Sequence, residues 1–229
     1  RYQHPSIIKF YGYSLKDFDD QDNVTIFMEY AEKGSLEDIL QQIQHGKIDN
    51  NFNNTKKQII LIGVACGMMF LHQHHIIHRD LKPGNILLDQ NYFPHICDFG
   101  CSKQYQKDDS MNQSQSYGTC IYMAPEVFEG TRYNEKADVY SFGILMYEVV
   151  TNLIPYPLLH KGKMNVFSFS QKVIENNLRP KFRVPVKKSI KRLIEKCWSK
   201  NPSDRPTFEE IFKKLAYNIE SFEVHLNEE

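Results

Sequence analysis

The residues that could do chemistry in this 229-residue chain fall into three short groups. The first runs from His78 to Asn85 (HRDLKPGN), the second is Asp98-Phe99-Gly100, and the third is Ala124-Pro125-Glu126. Together they offer carboxylates, an ammonium group and a carboxamide. Carboxylate and amide oxygens are hard ligands that suit Mg²⁺. These side chains would serve phosphoryl transfer, whose loose transition state is stabilised mainly by positioning and charge neutralisation.

The order and spacing of the three groups resembles the catalytic half of the eukaryotic protein kinases. Asp98 follows Asp80 by 18 residues, and Glu126 follows Asp98 by 28. One such triplet would be weak evidence, whereas all three in order are specific. By resemblance, Asp80 faces the attacking hydroxyl and Lys82 contacts the γ-phosphate of ATP. Asn85 and Asp98 would hold Mg²⁺. The alternative is that the two aspartates are ordinary turn carboxylates.

Further features indicate the type of kinase. Lys82-Pro83, rather than an Ala-Arg type sequence, favours transfer to serine and threonine of protein substrates. Cys197-Trp198 and the stretch 137–143 resemble the tyrosine-kinase-like branch. We therefore expect a tyrosine-kinase-like serine/threonine kinase. Two alternatives stay open: a kinase-shaped pseudokinase or scaffold, and a small-molecule kinase, which Glu126 and Arg205 disfavour because they shape a platform for protein substrates.

The resemblance also assigns structural roles. Glu126 would pair with Arg205 in a buried ion pair, and Asp138 would accept backbone N–H groups from the turn at His78. The residues expected to act structurally are His78, Phe99, Glu126, Asp138 and Arg205. A second interpretation takes His72, His74, His75 and His78 as a metal cluster, but the kinase pattern disfavours it.

Regulation is expected on the polar loop between the second and third groups. Arg79 resembles the arginine that binds a phosphate on this loop, because a guanidinium can contact phosphate with two N–H groups. Ser114 and Ser116 are the expected phosphosites, modified by an upstream kinase or by autophosphorylation. Thr119 is expected to bond the aspartate and lysine of the transfer site. The alternative is an unmodified polar loop.

The resemblance places an adenine pocket near the start of the chain. The stretch 24–30 resembles the strand that enters the hinge between the two lobes. Met28 would be the gatekeeper, Glu29 and Ala31 would offer backbone groups to the adenine edge, and Leu87 would lie under the ring. For Met28 and Leu87 an ordinary core role is the alternative.

The secondary-structure elements predicted from the sequence indicate an α+β fold, with few strands and a large helical part. These elements must position the site residues. We expect one partial protein kinase domain over 1–229, in which 1–30 is a remnant of the N-terminal β lobe and hinge and 31–229 is the C-terminal lobe. Strands are predicted at 7–13, 24–30, 86–89 and 95–98. Helices are predicted to begin at Ser35, to cover 55–73, 140–150 and 189–197, and to run from Thr207 to about Ser221. The stretch 153–166 is predicted to be irregular.

Composition bounds the remaining function classes. Lys+Arg and Asp+Glu both number 28, and a general nucleic-acid binder would show a basic excess, so no nucleic-acid partner is expected. The five cysteines form no C-x-x-C pair, which favours reduced thiols and a cytoplasmic location. The longest stretch without Asp, Glu, Lys or Arg, 58–78, has an apolar core of only 13 residues, so no membrane span is expected in this segment.

Parts of the kinase pattern are not found in this sequence. No two of the eleven glycines are two residues apart, so no G-x-G-x-x-G loop exists here, and no V-A-x-K strand precedes His4. The resemblance implies that these phosphate-binding elements lie upstream of Arg1.

We therefore expect the isolated 229-residue chain to bind ATP poorly and to phosphorylate protein substrates weakly, because the elements that hold the α- and β-phosphates are missing. A radiometric assay would compare this chain with one extended upstream. Robust turnover by the bare chain would contradict the expectation.

Overall fold

The computed structural model describes residues 3–47, 51–104, 119–131 and 133–217. Within these ranges helices dominate and the strands are short, so the predicted α+β class is confirmed. The strands are β1 (Phe10–Ser14), β2 (Thr25–Met28), β3 (Ile76–Ile77), β4 (Ile86–Leu88), β5 (Pro94–Ile96) and β6 (Lys103–Gln104). The helices are α1 (Leu36–Gln44), α2 (Asn54–Gln73), α3 (Pro125–Phe128), α4 (Lys136–Thr151), α5 (Pro157–His160), α6 (Val166–Ile174), α7 (Lys188–Cys197) and α8 (Phe208–Tyr217).

The strands pair in three antiparallel couples, β1 with β2, β3 with β6, and β4 with β5. In the last couple Ile86 pairs with Ile96 and Leu88 with Pro94, and both isoleucines are fully buried. The β1–β2 hairpin, in contrast, exposes most of its large apolar side chains, among them Tyr13 and Ile26. The two parts of the chain therefore differ sharply in how well their strands are covered.

Two helices begin where the sequence predicts, after Ser35 and after Thr207, and side chains cap both starts. Before α1, the Ser35 hydroxyl accepts the Asp38 N–H at 3.1 Å, and the Asp38 carboxylate accepts the Ser35 N–H at 3.2 Å. Before α8, Thr207 and Glu210 exchange the same two bonds. Each pair satisfies N–H groups that the first helical turn would otherwise leave without an acceptor. The last helix is described to Tyr217, and its expected continuation lies outside the described residues.

The centre of the core is α4, whose side chains are buried almost all round. This agrees with its apolar sequence, because only a helix enclosed by other elements can be apolar on every face. Gly143 permits close packing against α7: a Cβ there would lie 2.9 Å from the Cβ of Cys197. Helix α2 packs against α8 and β5. No helix in the described part of the chain is long and apolar enough to cross a membrane.

The stretch 153–166 is not wholly irregular as expected, because it contains α5 and leads into α6. Helix α5 has only four residues, too few for a periodic signal, and begins with Pro157. Helix α6 did carry a signal: the side chain of Asn165 accepts the N–H of Ser168 at 2.8 Å, as an N-cap residue does.

Arg205 joins the start of α3 to the segment before α8. It is 1% exposed and donates two hydrogen bonds to the Glu126 carboxylate, one from each terminal nitrogen. Its other N–H groups reach backbone oxygens, including those of Ser199 and Lys136 at 2.9 Å each. These hydrogen bonds replace the bonds to water that both side chains lose on burial. The ion pair is therefore stable only when both partners are present.

Arg205→Met should lower the free energy of unfolding by about 3–5 kcal/mol, since it leaves the Glu126 carboxylate buried without its counter-charge. Urea denaturation at pH 7 measures the loss. The matched control is Lys213→Met, in an exposed pair with Glu209 at 2.6 Å, for which we expect about 0–1 kcal/mol. Equal losses in the two variants would contradict the prediction.

Candidate active site

The loop 78–85 and the segment 98–100 meet at one end of the β4–β5 hairpin. Because Ile86 pairs with Ile96, the residues just outside the pairing are neighbours. The N–H of Cys97 donates to the carbonyl of Asn85 at 3.0 Å. Asp98 therefore leaves the hairpin directly beside Asn85, although the two are 13 positions apart.

Asp138, in the first turn of α4, holds the loop 78–85 in place. Its completely buried carboxylate accepts the backbone N–H groups of His78 at 2.9 Å and Arg79 at 2.8 Å, and it bonds Nε2 of His72 at 2.9 Å. Burial alone would raise the pKa of Asp138, but the bond from His72 and the backbone bonds outweigh it and hold that pKa below its ordinary value. An ionised carboxylate thus anchors the turn.

His78 connects the two halves of the site. Its buried ring accepts the N–H of Asp80 at Nδ1 (3.3 Å), and its Nε2 lies 3.0 Å from the carbonyl oxygen of Cys97. The Nε2–H tautomer satisfies both contacts. Phe99 packs against it, with ring centroids 5.3 Å apart. The ring thereby ties the backbone at Asp80 to the residue before Asp98.

Two residues of the site hold left-handed backbone conformations, which side chains other than glycine adopt at a cost. Arg79 has φ 71° and Asp98 has φ 59°. The Asp138 carboxylate holds the Arg79 N–H, and the Asp98 carboxylate accepts the Gly100 N–H at 3.2 Å. The Arg79 guanidinium lies over the ring of Tyr133, 5.9 Å from its centroid.

Asp80, Lys82 and Asn85 form one hydrogen-bonded group. Oδ2 of Asp80 accepts from Nζ of Lys82 at 2.6 Å and from Nδ2 of Asn85 at 3.0 Å, and that same Nδ2 donates to the Asp80 carbonyl at 2.7 Å. Oδ1 of Asp80 is buried and has no hydrogen-bond partner among the described residues. A buried acceptor without a donor costs free energy, and a hydroxyl brought by another molecule would relieve that cost.

The donor set fits a divalent cation that prefers oxygen. Nδ2 of Asn85 is engaged by Asp80, which leaves the carboxamide oxygen as the ligand atom, and the Asp98 carboxylate is exposed. Mg²⁺ takes few protein ligands and keeps phosphate oxygens and waters. Across the described ranges no three His, Cys, Asp or Glu side chains gather as a metal site. The histidine-cluster interpretation therefore finds no support there: His72 bonds Asp138, and His74 contacts the Phe70 carbonyl.

The four residues expected around adenine lie along β2, the segment that follows it, and β4. Met28 is 45% exposed, Ala31 is buried and Leu87 is half-buried. The N–H of Glu29 donates to the Lys9 carbonyl at 2.8 Å, so the Glu29 carbonyl is the group left for a ligand. The Ala31 carbonyl accepts from the Gly34 N–H at 3.1 Å, which leaves its N–H.

The expected phosphosites Ser114 and Ser116 lie outside the described residues. Thr119 begins a 3₁₀ turn that ends at Tyr122, but its side chain also lies outside what the structure describes.

Sequence reasoning missed a buried carboxylate next to the site. Glu148 of α4 accepts hydrogen bonds from the Tyr122 hydroxyl at 2.7 Å and from Nε2 of Gln44 at 3.2 Å. Burial raises its pKa to about 7, against the opposing effect of these two bonds. The like charge of Glu37 in α1 also raises the pKa of Glu148. The Glu37 side chain lies against the loop 78–85, since a Cβ at Gly84 would lie 2.7 Å from its Oε2. The signal was a charged residue within an otherwise apolar buried helix.

Glu148 should make stability fall as pH rises from about 4.5 to 7. The folded chain keeps its proton up to about pH 7, whereas the unfolded chain loses it near 4.5, so the unfolded state binds fewer protons in this window. Glu148→Gln should remove up to about 3 kcal/mol of this decline. Urea midpoints between pH 5 and 7.5 test it, with exposed Glu129→Gln as the control that keeps the decline. A pH profile that Glu148→Gln leaves unchanged would contradict it.

Comparison with known proteins identifies relatives with similar sequences. The family model described as "Protein kinase domain" matches residues 1–215. The dual specificity protein kinase shkA of Dictyostelium discoideum is 41% identical over 155 residues, covering 66% of this chain and 29% of that protein. Mitogen-activated protein kinase kinase kinase 7 of Homo sapiens is 35% identical over 227 residues, covering 97% of this chain and 34% of that protein. The chain thus spans about a third of the length of these relatives.

Proposed function

Because the chain belongs to the protein kinase family, we propose that the protein transfers the γ-phosphate of ATP to serine and threonine hydroxyls of protein substrates. One observation carries the proposal: Asp80 presents a buried carboxylate oxygen with no partner among the described residues, beside the ammonium of Lys82. The similarity to mitogen-activated protein kinase kinase kinase 7, a tyrosine-kinase-like protein, supports a place in that branch of the family.

In the proposed reaction Oδ1 of Asp80 accepts the hydrogen bond of the substrate hydroxyl. The hydroxyl oxygen attacks the γ-phosphorus, the bond from that phosphorus to the bridging oxygen breaks, and ADP leaves with the electron pair. The hydroxyl proton passes to Asp80. Lys82 neutralises charge on the transferred group. Asn85 and Asp98 would hold Mg²⁺, which offsets the negative charge of the phosphates.

The neighbouring residues take roles that the geometry supports. Met28 and Leu87 would line the adenine site, and the Glu29 carbonyl and Ala31 N–H would bond its edge. We assign residues 1–30 to the N-terminal lobe and hinge and 31–229 to the C-terminal lobe. The contrast between the exposed β1–β2 hairpin and the enclosed helical core supports this division.

Regulation would centre on Arg79. Its backbone is locked by Asp138 and its guanidinium lies beside Tyr133, so a phosphate bound there would act on a fixed loop. We propose Ser114 or Ser116 as the phosphorylated residue and Thr119 as a partner of the transfer site. Reduced thiols support the cytoplasm as location: among the described residues, Cys66, Cys97, Cys120 and Cys197 form no disulfide.

The test is a phosphorylation assay of the complete gene product and its Asp80→Asn and Asp98→Asn variants. Each change removes a carboxylate used in transfer, so we expect kcat to fall by at least about 100-fold. The control is Glu175→Gln, an exposed carboxylate just after α6, which should leave the rate unchanged. Equal activity in all four proteins would overturn the proposal, and activity at background level in all four would favour a scaffold.

Phosphoamino acid analysis of the same products tests the acceptor. Phosphoserine and phosphothreonine alone are expected. Phosphotyrosine in comparable amount would instead indicate the dual specificity that the name of shkA describes for that relative.

A further inference from the structure

A second cluster of positive charge lies away from the transfer site, at the start of α2. We name Lys33, Lys56 and Lys57 the lysine cluster. The ammonium groups of Lys33 and Lys56 lie 5.2 and 5.6 Å from the centroid of the Tyr92 ring. That of Lys57 lies 5.6 Å from the centroid of the Phe52 ring, and the two ring centroids are 6.2 Å apart.

Lys57 is the unusual member of the cluster. Only 6% of the residue is exposed, and within the described part of the chain its Nζ makes no hydrogen bond or ion pair. It occupies the position where helices often place an apolar residue against the one before the N-cap, here Phe52. The methylene groups of Lys57 pack as that apolar residue would, but the side chain ends in a charged ammonium group. Burial lowers the pKa of Lys57 to about 8.

The N-terminus of α2 adds to the positive electrostatic potential of the lysine cluster. The helix has 20 residues and no acidic residue in its first turn, where Lys56 and Lys57 stand instead. Cations at this end oppose the helix dipole, whereas an anion there is stabilised by it. Two carboxylates lie on neighbouring turns, where they accept backbone hydrogen bonds: Asp89 from the N–H groups of Asn91 and Phe93, and Glu32 from that of Gln90.

We propose that the lysine cluster and the N-terminus of α2 form a binding site for a phosphate dianion, free or as a monoester. Two independent features carry the proposal: the helix end, and the enclosed Lys57 side chain, whose ammonium has no counter-charge among the described residues. A dianion matches several ammonium groups better than a single carboxylate does, since it offers two charges and three or four acceptor oxygens. The ligand would join three segments: the one after β2, the β4–β5 turn and α2.

The experiment titrates the complete protein with inorganic phosphate and, separately, with O-phosphoserine, by calorimetry and thermal unfolding at constant ionic strength set with chloride. We expect saturable binding and a rise in unfolding temperature. Lys57→Met keeps the packed stem and removes the charge, so affinity should fall about 10- to 100-fold. Lys56→Gln should weaken binding less. The control is Lys172→Gln, an exposed lysine of α6.

A second readout isolates Lys57. A bound anion favours its charged form, so binding near pH 8 should take up protons, measured by calorimetry in buffers of different ionisation enthalpy. The other ionisable groups beside the cluster are Lys33, Lys56, Glu32, Asp89 and Tyr92. Helix α8, which packs against α2, adds Glu209, Glu210, Lys213, Lys214 and Tyr217. Proton uptake should vanish in Lys57→Met. Tighter binding of O-phosphoserine identifies a monoester as the source, and tighter binding of phosphate the free ion. Equal affinity of wild type and Lys57→Met, or loss in Lys172→Gln alone, would overturn the proposal.

Discussion

The buried carboxylate of Asp138 is the interaction on which the active site depends. It lies in the best-enclosed helix of the molecule and accepts the N–H groups of His78 and Arg79. Those bonds hold Arg79 in a left-handed conformation that the loop would otherwise leave. The direction of Asp80 follows from that turn, so a residue that touches no substrate determines where the reactive carboxylate points.

Buried charge is handled in three different ways in this fold. Arg205 and Glu126 neutralise each other with a two-bond contact. Glu148 retains its proton to about pH 7, because burial penalises its charged form. Lys57 has neither solution among the described residues, and burial lowers its pKa to about 8. This contrast is consistent with the ligand proposed at Lys57. The Arg205–Glu126 pair and Glu148 need no ligand and stabilise the fold.

Much of the fold could be predicted because its signals are local. The caps at Ser35 and Thr207, and the apolar run that became α4, depend on residues within one or two turns. The spacing of the site motifs was also visible in the sequence. Contacts between distant segments were not: nothing near His72 indicates that it meets Asp138, and nothing near Glu37 indicates that it lies against Gly84. Such pairs are set by how helices pack, which periodicity does not encode.

The ion pair between Glu126 and Arg205 has a consequence for how the protein is made. Its partners are 79 residues apart, and Arg205 stands close to the end of the described chain. Contacts of long sequence separation form late, because the intervening chain must first be ordered. A ribosome delivers Glu126 well before its partner, so during synthesis that carboxylate has only water to satisfy it. The segment that follows the active site is therefore secured only when nearly the whole domain has emerged, which links completion of the site to completion of the domain.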